Sequence, residues 1–269
     1  MKKNSIFAAL LLGTFSLSAM SCSTDKHSKT SENTSSETKA VEVKNTNSPI
    51  DGGVVVFQQG KLIEVAYLSV KEGKQKQLNE EYFAKIMPIA AEYGMKPLMT
   101  IAVKHAWSEE IKPQMVGFFE WPSVAKKEAF NKDKRFKKLK KVRDNALSYL
   151  KMGYFEVAID SKVNLNSELF YEVYAMTLDE KNGHLMSTYF EKASPIVTND
   201  YGVDFALNLS PVQMKGNDFF VPQMFGLAIW KSEADNQKFF GSSQYNEIKH
   251  YKEQALQRID VWQGSVILQ

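Results

Sequence analysis

Two stretches of the chain decide its fold because they are copies of one another. Residues 113–147 read PQMVGFFEWPSVAKKEAFNKDKRFKKLKKVRDNAL, and residues 222–256 read PQMFGLAIWKSEADNQKFFGSSQYNEIKHYKEQAL. They align without a gap at an offset of 109 with 11 identities in 35 positions, where composition alone would give about two. Repeats of about 20–50 residues indicate solenoids. A copy at this longer distance therefore predicts a duplicated domain.

The similarity extends upstream into a shared helix. Tyr82-Phe83-x-Lys85-x2-Pro88-Ile89-x3-Tyr93-Gly94 returns as Tyr189-Phe190-x-Lys192-x2-Pro195-Ile196-x4-Tyr201-Gly202. Apolar positions at helical spacing predict the first helix of each copy, and the two prolines predict a shared bend.

The first copy contains apolar, β-favouring runs at Leu62–Val70, Met95–Trp107, Pro113–Trp121 and Tyr154–Ile159, and a broken helical stretch at Val124–Leu150. The order is β-α-β-β-α-β, the ferredoxin-like pattern. The second copy repeats it at 170–178, 184–201, 203–214, 221–230, 233–259 and 261–268. We predict an α+β fold with units at residues 56–160 and 161–269.

The strands MVGFFEW and MFGLAIW do not alternate apolar with polar residues. Both of their faces must therefore be buried. Candidates for a central seam between the copies are Met115, Phe119, Met224 and Phe225. Asp133 and Ser242 stand where they can cap the last helical segment of each copy.

The N-terminus has the layout of an export signal. Residues 1–21 combine Lys2-Lys3, an apolar run too short to span a bilayer, and small residues ahead of Cys22. Ala19-Met20-Ser21-Cys22 is similar to a bacterial lipobox, which implies lipid attachment at Cys22; a simple cleaved signal is the alternative. Cys22 is the single cysteine of the chain, so no internal disulfide can form. Residues 23–51 are mainly Ser, Thr, Asn, Lys and Glu, which predicts a disordered tether at residues 22–55. We expect a lipid-anchored protein of the bacterial cell envelope, outside the cytoplasm.

Charge gives no case for nucleic acid. The formal net charge is +3, with 34 basic against 31 acidic residues. Lys126–Arg143 is a local exception with ten basic residues and two acidic ones. It predicts either a solvated helix face or a patch for an anionic partner.

Few residues have the chemistry of a catalytic group. His105 follows an apolar strand and could serve as a base or an axial ligand, or could simply lie at the surface. Glu64 and Glu172 share one position on the first strand of the two copies, where a carboxylate is either exposed or placed for acid/base work. Glu120 stands where the second copy has Ile229 and is either an edge residue or a pocket group.

The aromatic residues are consistent with a cleft between sheet and helices for a small apolar or aromatic ligand. Core packing explains the same residues without any ligand and is the favoured interpretation. The candidate lining residues are Tyr67, Trp107, Phe119 and Trp121, with His105 and Glu120. No zinc spacing, phosphate loop or nucleophile elbow is present. We expect neither haem nor a stoichiometric transition metal.

The repeated motif resembles a known family. Tyr-x5-Pro-Ile-x3/4-Tyr-Gly, then Trp121-Pro122-Ser123 or Trp230-Lys231-Ser232, is similar to domain of unknown function 1330, of the dimeric α/β-barrel superfamily. The resemblance implies two ferredoxin-like sheets packed face to face. With both sheets in one polypeptide, it implies an intrachain pseudo-dimeric barrel and a monomer in solution. The function predicted is a binding or structural module for a small apolar or aromatic ligand; the alternative is a cofactor-independent monooxygenase- or isomerase-type enzyme.

Overall fold

A computed structural model describes residues 52–214 and 221–268. The predicted signal at residues 1–21, Cys22 and the tether up to residue 51 lie outside the described residues. Val54 and Val55, the last tether residues, already belong to strand β1 (Val54–Phe57), which pairs antiparallel with β6 (Ser161–Asn164).

The first half of the chain contains four long strands and several helical segments. In order these are β2 (Leu62–Val70), α1 (Gln75–Gln77), a π-helical segment (Leu78–Phe83), α2 (Ala84–Glu92), β3 (Lys96–Trp107), β4 (Met115–Trp121), α3 (Val124–Lys132), α4 (Lys134–Ala146) and β5 (Leu147–Val157).

The second half repeats the order with a single long first helix. It comprises β7 (Phe170–Leu178), α5 (Leu185–Tyr201), β8 (Asp204–Pro211), β9 (Met224–Trp230), α6 (Glu233–Phe240), α7 (Ser243–Ala255) and β10 (Leu256–Val266). The predicted order of strands and helices is therefore observed in both halves. Both β5 and β10 begin earlier than predicted, at residues 147 and 256, because the preceding helices end at Ala146 and Ala255.

The helix ends follow the capping residues. The Asp133 side chain accepts a hydrogen bond from the backbone N–H of Arg135, and the Ser242 hydroxyl accepts one from the N–H of Tyr245. Both predicted caps are confirmed, and Asp133 separates α3 from α4. Gly202 ends α5 in the left-handed conformation at φ 62°, which glycine adopts without strain. Pro88 and Pro195 both lie inside helices.

Eight strands close into one barrel in the order β10-β3-β4-β2-β5-β8-β9-β7, with β7 pairing back to β10. Each half supplies four neighbouring strands. The halves meet at two antiparallel junctions, a long one between β3 and β10 and a short one of three residue pairs between β5 and β8. The barrel thus lies within one chain.

The barrel interior is filled with side chains. Phe155 stacks on Phe225 with ring centroids 4.0 Å apart, and Tyr67 lies 4.5 Å from Trp262. Each of these pairs joins one half to the other. The prediction that β4 and β9 are buried on both faces is confirmed, because their other faces pack against the helices of their own half.

The predicted central seam is wrong, because its four residues do not lie on one face of the barrel. Phe225 lies inside it, whereas Met115 and Phe119 pack against the helices of the first half and Met224 against those of the second. Successive residues of a strand point to opposite faces, so Met224 and Phe225 cannot share one seam. Among the described residues, none of the helices has the length and apolar character needed to cross a bilayer.

Candidate functional site

Two cavities lie between the sheet and the helices, one in each half. The second-half cavity has a volume of about 590 Å³ and is lined mainly by aromatic and aliphatic side chains of β7, β9, β10 and α5 to α7. The first-half cavity is smaller, about 380 Å³, and is lined by the equivalent elements of the first half. Cavities of this size suit small-molecule ligands.

Glu172 is the buried acid of the second-half cavity. Its Oε2 accepts hydrogen bonds from Asn236 Nδ2 at 3.0 Å and from Gln263 Nε2 at 2.5 Å. Gln263 Oε1 in turn accepts one from Trp107 Nε1 at 3.2 Å. Trp107 comes from β3 of the first half, so both halves hold this carboxyl group in place.

Burial raises the pKa of Glu172 above its usual range, although the bonds from Gln263 and Asn236 and the charge of Lys252 oppose the change. The pKa values of Tyr174 and Tyr189, which line the same cavity, are also raised, chiefly by burial. A carboxyl group with a raised pKa is a stronger base once ionised.

Trp230 also lines this cavity. Its indole Nε1 is buried and has no hydrogen-bond partner among the described residues. The equivalent tryptophan of the first half, Trp121, donates its Nε1–H to Glu64 Oε2 at 2.8 Å. A buried donor without a partner costs about 1–3 kcal/mol. An acceptor oxygen on a ligand would remove that cost at Trp230.

The first-half cavity has different chemistry at the equivalent positions. Lys127 stands where the second half has Asn236, and its Nζ lies 2.6 Å from Glu64 Oε2 and 4.6 Å from the centre of the Trp121 ring. Glu64 is thus neutralised by a buried cation. The two equivalent acids therefore occupy the same position in the fold but have different neighbouring side chains.

Exposed apolar residues surround the second-half cavity. Trp107 is 67% exposed, and Phe205 and Ile259 are also exposed. His105 Nε2 lies 2.8 Å from Glu233 Oε1, and Lys104 pairs with the same carboxylate. Exposed aromatic and aliphatic surface beside a cavity is a feature of ligand entrances.

The predicted site residues are divided between places. Trp107, His105 and Glu172 line the second-half cavity, and Phe119, Trp121 and Glu64 line the first-half cavity. Tyr67 lies inside the barrel, and Glu120 lines neither cavity. The predicted single pocket is therefore wrong, because Tyr67 and Phe119 point to opposite faces of their sheet.

Burial excludes the exposed alternative for Glu64 and Glu172. Glu64 is 7% exposed and Glu172 is 9% exposed, so neither is a surface residue. Glu120 is buried and lies 3.7 Å from the exposed Lys96 amine. His105 pairs with Glu233 rather than with Glu120 or Glu64.

Asn236, Gln263 and Lys127 were not predicted. The repeat alignment contains a signal for the first and last, because Lys127 and Asn236 are equivalent and differ in charge. In the described part of the chain, no group of three or more His, Cys, Asp or Glu side chains is arranged to hold a metal ion.

Comparison with known proteins gives fold similarity only. No family model matches the chain, and no curated protein does. An anthrone oxidase-like protein has 11% identity and a TM-score of 0.53, with 79% of this chain and 94% of that chain covered. A tryptophan variant of chlorite dismutase from Candidatus Nitrospira defluvii, in complex with cyanide, has 9% identity and a TM-score of 0.50, covering 78% and 92%.

A monooxygenase candidate from Fusobacterium nucleatum subsp. nucleatum has 14% identity and a TM-score of 0.47, covering 79% and 94%. The two neighbours with TM-scores of 0.53 and 0.50 share the mixed α/β fold of this chain.

Proposed function

We propose that the second-half cavity is the active site of a cofactor-independent oxygenase acting on an uncharged, oxygen-substituted aromatic molecule. The observation that carries the proposal is Glu172, a buried acid with a raised pKa inside a largely aromatic cavity. The structural neighbour with a TM-score of 0.53 is an anthrone oxidase-like protein, which supports the same class of reaction.

In this proposal the cavity residues supply an acid/base group and a hydrogen-bond donor for the substrate carbonyl oxygen. Trp230 Nε1 donates a hydrogen bond to the carbonyl oxygen of the substrate. Glu172 removes a proton from the activated methylene carbon, and the resulting enolate transfers an electron to dioxygen. Recombination gives a peroxide anion, which takes the proton back from Glu172 to form a hydroperoxide, and elimination of water from the hydroperoxide leaves a second carbonyl group. The net change converts a methylene group and dioxygen into a carbonyl group and water.

Anthrone is the probe for this chemistry, because its oxidation consumes one dioxygen and gives anthraquinone and water. Oxygen uptake and anthraquinone absorbance should both rise with protein concentration above the uncatalysed rate. Glu172→Gln should lower the catalysed rate by about a hundredfold or more, the usual contribution of a general base. Glu120→Gln is the matched control, since Glu120 is a buried acid outside both cavities.

Binding without turnover is the second candidate function. It is favoured by the apolar lining of the cavity and the exposed Trp107 beside it. Saturable quenching of tryptophan fluorescence by anthrone, with no oxygen uptake above background, would assign a binding role and contradict the oxygenase proposal.

We also propose that the two halves are tandem ferredoxin-like units of the domain-of-unknown-function-1330 type. The matching strand order of the two half-sheets supports this, as do equivalent residues such as Glu64 and Glu172 or Ser123 and Ser232, which cap α3 and α6. In this proposal the units form an intrachain pseudo-dimer.

For location, the proposal is a cell-envelope lipoprotein held in the membrane by lipid on Cys22. The lipobox-like sequence around that residue supports it. Cys22→Ala should release the protein from the membrane fraction and abolish acyl labelling. Unchanged mass and membrane association in the variant would contradict the lipid anchor.

A further inference from the structure

The first-half cavity combines an apolar body with cationic side chains. Phe83, Met87, Phe136 and Leu150 are among the apolar residues that line it. A site lined in this way favours a ligand with a substantial hydrocarbon portion, because burial of apolar surface contributes about 25 cal/mol per Å².

The charged side chains that line this cavity are mostly cationic. It includes Lys127, Lys137, Lys140 and Arg143, against Glu64 as the one carboxylate among the described lining residues. Since Lys127 pairs with Glu64 and Arg143 pairs with Asp144, Lys137 and Lys140 set the sign of the field at the cavity. Lys137 and Lys140 are exposed, and neither forms an ion pair with a described residue.

The duplicated half provides an internal comparison. Lys137 is replaced by Asn246, and Lys249, the equivalent of Lys140, does not line the second-half cavity. The second-half cavity has one lysine, Lys252, and two carboxylates, Glu172 and Glu233. The cationic lining is therefore a property of the first half and does not come with the fold.

The helical wall of the first-half cavity is also irregular. Leu78–Phe83 forms a π-helical segment, and Tyr82 and Phe83 from it line the cavity. The equivalent helix of the second half, α5, is α-helical over its 17 residues. π-Helical segments are rare and occur frequently at functional sites.

We infer that the first-half cavity is a second binding site, for an amphiphilic organic anion. The apolar body of the ligand lies among Phe83, Met87 and Phe136, and its carboxylate or sulfonate group is held by Lys137 and Lys140. This site is separate from the proposed oxygenase site and uses no residue of it.

Dodecanoate, kept below its critical micelle concentration, is the probe, and calorimetric titration of the full chain is the measurement. We expect saturable binding that weakens as salt is added. Lys137→Gln/Lys140→Gln should weaken the affinity about tenfold, since two rim charges contribute about 0.7 kcal/mol each. Met87→Trp, which fills the cavity, should weaken it at least as much.

Lys138→Gln/Lys141→Gln is the matched control, because it removes two exposed charges from the same helix without touching the cavity lining. It should change the affinity less than about twofold. Dodecyltrimethylammonium, with the same chain and the opposite charge, should bind much more weakly than dodecanoate.

Three results would overturn the inference. They are no saturable dodecanoate binding, equal losses of affinity in the two double-lysine variants, and equal affinity for the cationic probe.

Phosphatidylglycerol vesicles test the other source of anions. If the chain binds them through both lysine pairs equally and does not bind dodecanoate, the basic face of α4 contacts a membrane surface and the cavity proposal is wrong. None of these measurements depends on oxygenase activity.

Discussion

Glu64 and Glu172 are buried acids at equivalent positions with different neighbouring residues. The two occupy the same strand position, yet Glu64 faces the Lys127 amine at 2.6 Å and Glu172 faces the Asn236 amide at 3.0 Å. An amide stabilises a carboxylate by hydrogen bonding but supplies no charge, so burial dominates at Glu172 and raises its pKa.

The raised pKa of Glu172 predicts how the free energy of unfolding depends on pH. Its neutral form contributes stability that is fully present below the unfolded pKa, about 4.3, and is lost as pH rises through the higher folded pKa. Glu172→Gln is neutral at every pH and lacks this loss. Its free energy of unfolding relative to wild type should therefore increase with pH above about 4.3 and level off above the folded pKa.

Urea unfolding across the pH range checks this, with Glu180→Gln as the control for removal of an exposed carboxylate. A constant difference between Glu172→Gln and wild type at all pH values would mean that the pKa of Glu172 is not raised in the folded protein.

Glu64→Gln should lower the free energy of unfolding. It leaves the Lys127 amine, whose side chain is 5% exposed, as a buried cation without its carboxylate. Breaking a buried pair by removing one partner costs about 3–5 kcal/mol. Chemical unfolding at neutral pH should show a loss in that range, and Glu64→Gln/Lys127→Met should recover most of it. A loss below about 1 kcal/mol would show that the pair contributes little.

At the scale of elements, the junction of β3 and β10 connects the barrel to the proposed active site. The register of this pair shifts between Gln263 and Gly264, which lie opposite His105 and Val103. A Cβ at Gly264 would lie 1.8 Å from the carbonyl oxygen of Ala102. Only glycine allows the two strands to approach this closely.

Gly264→Ala should therefore destabilise the protein by about 3 kcal/mol, because the strands must separate to admit the methyl group. It should also weaken the Gln263 bond to Glu172 and lower anthrone oxidation. Gly241→Ala is the control, since its Cβ would lie 3.3 Å from the nearest atom, Gln237 O. Urea unfolding measures the stability of both variants. Equal free energies of unfolding for Gly264→Ala and Gly241→Ala would contradict the steric argument.

At the scale of the whole molecule, neither half covers its own apolar sheet face. Tyr67 of the first half packs on Trp262 of the second, and Phe155 packs on Phe225. Both junctions also supply backbone partners for strands that would otherwise be edges. The complete chain satisfies these needs internally.

Residues 52–160 expressed alone should consequently dimerise or aggregate, whereas residues 52–269 should be monomeric. Light scattering coupled to size-exclusion chromatography measures the mass of each species. A stable, soluble and monomeric first half would contradict the need for the second sheet.

The local sequence determined the parts of the fold that depend on neighbouring residues. The duplication, the order of strands and helices in each half, and the caps at Asp133 and Ser242 all follow from periodicity and from side chains that bond within three residues. The doubly buried β4 and β9 were also predictable, because unbroken apolar runs need two covered faces.

Tertiary structure alone decided which face each side chain joins and which residues meet. Tyr67 lies inside the barrel and Phe119 outside it, so the aromatic residues of one predicted pocket separate. Closure sets β3 beside β10 and thereby brings Trp107 to Gln263, the partner of Glu172. These contacts join residues more than 90 positions apart through strand register. No local periodicity encodes that register, because it arises from pairing between strands that are distant in the sequence: β7 with β10 for Glu172 and Gln263, and β3 with β10 for Trp107 and Gln263.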